Sequence, residues 1–212
     1  HYIGSLFGLE SKVFPIKDVW HTLLPIRGFQ RGFSATSILR NIILPFRIVK
    51  SLLKTNKILK EFEPEVVIGT GGYASAIPLY MVSKKNDSTT IILQEQNSFP
   101  GITTRLFANK ANKICIAFEE PDNALGDNTV VTGNPVRKGI GDGNKRNGFH
   151  EFRFKEENKT IFLFGGSQGS AYLNRMISKV AEKISNGGIQ LLWQTGDLEF
   201  QKYNHLESEN IR

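Results

Sequence analysis

The chain holds a single cysteine, Cys115. That excludes an internal disulfide, and its setting in the apolar run ICIAF reads as a small buried hydrophobe. The four histidines, His1, His21, His150 and His205, are scattered, and no Cys or His pair has ligand spacing, so no metal site is expected. No apolar run approaches the roughly 18 residues of a spanning helix, and no charged segment with a following hydrophobic core opens the chain. Neither a spanning segment nor a secretion signal is therefore expected. Acidic residues are the scarcer charge: 27 Lys and Arg face 20 Asp and Glu, for a net charge of +7. Such a surface attracts phosphates, nucleic acid or an acidic membrane face. Nucleic acid is not expected as a partner, because no recognised module or aromatic interleaving accompanies the basic residues. Low-complexity tracts are missing as well, which leaves an ordinary globular composition. At 212 residues, one large domain or one domain plus part of another is expected. The chain opens at His1 without an initiator methionine and stops just after a strand-and-helix pattern, so it reads as a piece of something longer.

What is present is alternation. Short apolar runs rich in Val and Ile alternate with longer amphipathic stretches, the mark of a doubly wound parallel α/β sheet. The pattern predicts strands near 19–24, 66–69, 90–93, 113–117, 129–131, 160–164 and 190–194. Between them it predicts helices near 37–62, 74–84, 102–108, 170–185 and 198–205. Residues 138–158, KGIGDGNKRNGFHEFRFKEEN, mix glycine with charge and show little apolar periodicity, so a domain boundary is expected there. A strand–glycine loop–helix unit occurs on each side of it, once as VVIGTGGYAS and once as IFLFGGSQGS.

In an open parallel sheet, ligands sit where strand ends turn into helix N-termini with free N–H groups. Gly69, Gly71 and Gly72 lie at such a junction, with Thr70 and Ser75 as hydroxyl donors. The loop lacks the dinucleotide spacing and the lysine of a P-loop, so it reads either as an anion cradle of another kind or as a tight turn without ligand. The next strand runs into Gln94, Glu95, Gln96 and Asn97, hydrogen-bonding side chains suited to a sugar or amide, with helix capping by Asn97 or Ser98 as the plainer alternative. Arg137, after the Asn134-Pro135 turn, reads as a fork for a diphosphate in an interdomain cleft or as a surface arginine. The second loop, 165–170, offers N–H groups and the Ser167 hydroxyl to another phosphate.

The helix over 37–62 is unusual. Apolar residues cover more than one face, while Arg40, Arg47, Lys50, Lys54, Lys57 and Lys60 outnumber Glu61. Such a helix lies on an anionic membrane or packs on a core with a solvated basic side. Pro45 is expected to kink it or divide it in two.

The words GTGGYAS, QEQNSFPGITTRLFA, TGNPVR and GGSQGSAYLN, in this order, resemble the MurG family of membrane-associated glycosyltransferases of peptidoglycan synthesis. The resemblance implies a GT-B fold of two Rossmann-like domains: 1–140 as most of the acceptor-binding domain, 141–158 as linker, and 159–212 as the start of the nucleotide-sugar domain. It implies inverting transfer of N-acetylglucosamine from UDP-N-acetylglucosamine to undecaprenyl-diphosphate-linked muramoyl pentapeptide, lipid I to lipid II, with no cofactor. It places Asn97, Arg137, Ser167, Gln168 and Gly169 on the UDP-sugar and Thr70, Gly71, Gly72 and Tyr73 on the lipid diphosphate. It lays Arg40, Phe46, Arg47, Val49, Lys50 and Lys54 against an anionic membrane, at the cytoplasmic face of the bacterial inner membrane. The family's first glycine loop, GGTGGH, and most of its C-terminal domain lie outside this sequence. Many relatives read HEQN where this chain has Gln94, which leaves Glu95 as the nearest titratable candidate for the base. Other readings are a glycolipid synthase or UDP-sugar epimerase of the same fold, or an inactive piece that binds membrane or lipid.

Overall fold

The computed structural model describes residues 1–28, 34–85, 88–119, 125–166 and 169–212. They form two compact units, His1–Pro135 and Val136–Arg212.

In the first unit, β1 (Tyr2–Ser5) pairs in parallel with β2 (His21–Leu24), joined by α1 (Glu10–Ile16). A second, four-stranded parallel sheet has the order β3 (Val66–Gly69), β4 (Thr90–Glu95), β5 (Lys113–Ile116), β6 (Thr129–Val131). Two long helices serve both sheets: α2 (Ala35–Phe62) and α3 (Gly72–Lys84). Ala74 and Ile77 of α3 pack on Leu24 and Ile26 beside the first sheet, while Leu79 and Val82 join Leu59 of α2 over Ile91, Leu93 and Ile114 of the second. Among the described residues, no strand pairing joins the two sheets. A cavity of about 130 Å³, lined among others by Ile3, Phe62, Val66, Val67 and Ile68, lies along β3. The helix α4 (Ile102–Phe107) then buries Thr103, Thr104 and Phe107.

The helix α2 runs without interruption through Pro45, so the expected division in two does not occur. It stops where Glu63 takes a left-handed φ of 44° and Pro64 cannot continue the i→i−4 ladder. One face buries Ser51, Thr55 and Leu59, spaced four residues apart. The opposite stripe, Ile38, Ile42, Phe46, Val49 and Leu53, is exposed, with Phe46 76% and Leu53 68% accessible. Among the described residues, no helix is long and apolar enough to cross a membrane.

The second unit pairs β7 (Thr160–Phe164) in parallel with β8 (Gln190–Gln194). Between them the expected single helix over 170–185 is two, α6 (Ala171–Ser178) and α7 (Ala181–Asn186), because the chain turns at Lys179–Val180 to bury Ala181 completely against Leu191 and Trp193. The short α8 (Phe200–Tyr203) sets Tyr203 in the same core. Within 141–158, read as linker, lies a further helix, α5 (Lys145–Glu151), capped by the Asn144 side chain. Phe149 and Phe154 beside it are buried. The buried Gln190 fastens this stretch to β8 by accepting from Lys155 N at 2.6 Å and donating to Lys155 O at 3.0 Å.

Candidate functional site

The loop after β3 owes its shape to glycine. A Cβ on Gly69 would press into Leu79 of α3, so the strand end and helix approach closely only without one. Gly71 and Gly72 then take φ of 86° and 76°, and the space where a Cβ would stand is open at both. Only glycine holds this turn cheaply, and the opening faces the N-terminus of a 13-residue helix with its unpaired amides and positive dipole end. Ser75 does not join this cradle as expected: its hydroxyl turns inward onto Gly71 O at 2.6 Å and Gly72 O at 3.1 Å. Tyr73 is half exposed, and its ring lies so close to the backbone of Gly28 that any Cβ there would overlap it.

Three separate sequence words meet at this loop. Gln96 Nε2 donates to Thr70 O at 3.3 Å and to Gln94 O at 3.2 Å. Thr103 Oγ1 donates to Gly72 O at 3.0 Å, and Asn134 Nδ2 donates to Gln96 O at 3.3 Å. The glycine loop, the segment 94–97 and the turn at Asn134 are thereby tied into one surface.

Glu95 is the fastener of that surface rather than a poised base. It is 3% exposed, at the end of the central strand β4. Its Oε1 accepts from the backbone N of Asn97 at 3.0 Å and from Asn97 Nδ2 at 2.9 Å. Its Oε2 accepts from the N–H of Gly101 at 2.8 Å and from Thr104 Oγ1 at 2.6 Å. Burial by itself raises the carboxyl pKa, but the donors of Thr104, Gly101 and Asn97 together outweigh it and hold the group below the usual glutamate value. A buried carboxylate with both oxygens occupied is a poor proton acceptor. The candidate base is thus reassigned as a positioning group. Because Asn97 Nδ2 is committed to Glu95, Asn97 Oδ1 is the atom left to accept from a ligand hydroxyl on the exposed side.

In the second unit, Arg137 is exposed in a turn closed by Ile140 N on its carbonyl oxygen. Ser167 and Gln168 lie outside the described residues. Gly169 has a φ of 74°, and a Cβ on it would run into the carbonyl of Thr195, so this glycine brings the loop against the end of β8. Ser170 caps α6 by accepting from Leu173 N. Behind the loop, the buried Asn174 donates to Thr195 O at 2.8 Å and Glu199 Oε2 at 2.9 Å, and accepts from Trp193 Nε1 at 2.9 Å. Asn174, Gly28 and Thr104 escaped sequence reasoning, since their partners lie 21 and 25, 45 and nine residues away. Among the described residues, no three His, Cys, Asp or Glu side chains are grouped so as to hold a metal ion.

A family model described as the glycosyltransferase family 28 N-terminal domain matches residues 1–116, and the family 28 C-terminal domain matches residues 160–211. A protein of Christiangramia forsetii named UDP-N-acetylglucosamine--N-acetylmuramyl-(pentapeptide) pyrophosphoryl-undecaprenol N-acetylglucosamine transferase is 38% identical over 219 residues, covering 100% of this chain. A protein of the same name from Bacillus subtilis is 34% identical over 210 residues, covering 98%. This chain spans 57% and 56% of their respective lengths. Among solved structures, MurG of Acinetobacter baumannii matches with a TM-score of 0.61 at 19% identity, over 98% of this chain and 54% of that one. The UDP-GlcNAc 2-epimerase of Methanocaldococcus jannaschii matches with a TM-score of 0.59 at 11% identity, over 96% and 62%. These likenesses show the fold, and the GT-B class expected from the sequence is borne out by them.

Proposed function

Because the chain belongs to glycosyltransferase family 28, we propose that it supplies the acceptor-binding part, and the beginning of the nucleotide-sugar part, of an enzyme that makes lipid II from lipid I. The observation that carries this reading is 38% identity along the whole chain to a protein of that name. The donor is UDP-N-acetylglucosamine and the acceptor is undecaprenyl-diphosphate-linked muramoyl pentapeptide. A base takes the proton of the muramoyl hydroxyl as its oxygen attacks the anomeric carbon. The bond to UDP breaks on the opposite face, and UDP leaves with the electron pair, inverting the configuration. Thr70, Gly71, Gly72 and Tyr73 hold the acceptor diphosphate with the amides at the start of α3. Asn97 presents Oδ1 to a sugar hydroxyl, while Arg137, Ser167, Gln168 and Gly169 hold the departing diphosphate of UDP. The exposed apolar stripe of α2, on a helix that also carries Arg40, Arg47, Lys50 and Lys54, supports a peripheral position on the cytoplasmic face of the inner membrane.

The test is transfer of radiolabelled N-acetylglucosamine to a lipid I analogue, by the 212-residue chain and by a polypeptide completed to the length of its relatives. In the completed polypeptide, replacing Arg137 and Ser167 together by alanine is expected to lower kcat/KM for the UDP-sugar about a hundredfold. Unchanged turnover would sink the donor assignment. Conversion of the UDP-sugar without any lipid acceptor would favour the epimerase reading.

A further inference from the structure

The glycines that permit the turn after β3 also leave its peptide planes free to rotate, because no Cβ penalises the flipped arrangement. Which way the planes face decides what the loop can hold. In a trans peptide the carbonyl of one residue and the N–H of the next point in opposite directions, and the described peptides are trans. An anion needs the N–H groups turned toward it; a flipped plane would set a carbonyl oxygen there instead.

Each of the three carbonyls at stake is occupied by a side-chain donor. Thr70 O accepts from Gln96 Nε2 at 3.3 Å. Gly71 O accepts from Ser75 Oγ at 2.6 Å, and Gly72 O accepts from Ser75 Oγ at 3.1 Å and from Thr103 Oγ1 at 3.0 Å. The same three planes turn the N–H groups of Gly71, Gly72 and Tyr73 the other way. The Ser75 bonds are local, but Gln96 and Thr103 come from 26 and 31 residues away, beyond β4 in the chain. The start of a helix needs neither of them. Thr103 is buried, and its neighbour Thr104 is given to Glu95, so α4 fixes the loop with one hydroxyl and the carboxylate with the next.

We propose that Thr103, Gln96 and Ser75 are positioning residues that set the polarity of the glycine loop, holding its oxygens back so that a face of amides meets a diphosphate. The proposal rests on the reading of this loop as the acceptor-diphosphate site, and it adds three residues that act through the loop backbone. The inward turn of Ser75 has its purpose here: the hydroxyl serves the amides instead of the ligand.

Titration of the 212-residue chain with inorganic pyrophosphate, followed by the amide signals of Gly71, Gly72 and Tyr73 in nuclear magnetic resonance, tests it. In the wild type these signals are expected to move downfield and saturate. Thr103→Val, which keeps the shape and removes the hydroxyl, is expected to weaken binding about fivefold, the effect of one neutral hydrogen bond, and Thr103→Ser to restore it. Should Thr103→Val fail to fold, Gln96→Met, at a half-buried position, carries the same comparison. A merely structural role would lower the thermal midpoint of Thr103→Val and leave its pyrophosphate affinity at the wild-type value; that result overturns the proposal, as does a loss that Thr103→Ser does not restore. In a polypeptide completed to the length of its relatives, Thr103→Val should raise KM for the lipid I analogue and leave KM for UDP-N-acetylglucosamine unchanged, whereas an equal rise in both would also overturn it. Failure of the acceptor-site reading has a different signature: the three amide signals stay still in the wild type itself, and the proposal falls with that reading.

Discussion

A single carboxylate fastens the surface beside the glycine loop. Removing the Glu95 side chain strands the buried hydroxyl of Thr104 and the N–H groups of Gly101 and Asn97. Glu95→Ala is expected to cost about 3 kcal/mol in urea unfolding, since donors to a charged acceptor are worth more than neutral pairs. Glu95→Gln should cost less in stability, but it presents an NH₂ to donors and should still misplace Asn97. The acid dependence has a definite sign. Because the folded-state pKa lies below the ordinary value, the stabilisation is complete above the ordinary glutamate range. It declines as the pH falls below that range and is gone once the pH passes under the folded-state value. The gap in unfolding midpoint between wild type and Glu95→Gln should therefore be full at neutral pH and close as the pH falls into the acid range; parallel curves would refute the assignment. This role was hidden in the sequence, where Glu95 stands among polar neighbours and its partners Gly101 and Thr104 follow six and nine residues later. The open glycines were legible, because left-handed turns leave few alternatives, whereas the inward bond of Ser75 was not.

Elements were readable where one interaction dominates. The strands at 66–69, 129–131, 160–164 and 190–194 carry runs of β-branched or large apolar residues closed by glycine or polar ones, and they fall where periodicity puts them. The strand β1, with only Tyr2 and Ile3 as large side chains beside a glycine, has too little pattern to be seen, and α5 looks like loop because its order comes from the Asn144 cap and from Phe149 and Phe154. Asn174 is the counterpart in the second unit, joining α6 to the end of β8. Asn174→Ala is expected to cost about 2 to 3 kcal/mol and to red-shift the emission of Trp193, whose indole N–H loses its acceptor. An unshifted spectrum with wild-type stability would contradict this. On α2, replacing Phe46 and Leu53 by serine should lower vesicle partition about tenfold or more while leaving the thermal midpoint unchanged or raised, because neither side chain is in the core. A drop in the midpoint would mean that the stripe is packed instead.

At the scale of the chain, charge and open edges act against each other. A net charge of +7 should keep copies apart at low ionic strength and lose that effect as salt shortens the Debye length. Among the described residues, the strand β3 pairs on one side only, with Val66 and Ile68 exposed and a cavity alongside. The strand β7 likewise exposes Phe162 and Phe164, stacked with ring centroids 5.0 Å apart. Neither strand carries the lysine or proline with which natural sheets blunt an edge, apart from the flanking Pro64 and Lys159. The purified chain should accordingly associate with itself as salt and concentration rise, by sedimentation velocity, and Ile68→Lys should restore the monomer. Dilute, low-salt storage is accordingly the condition that should keep this polypeptide usable longest.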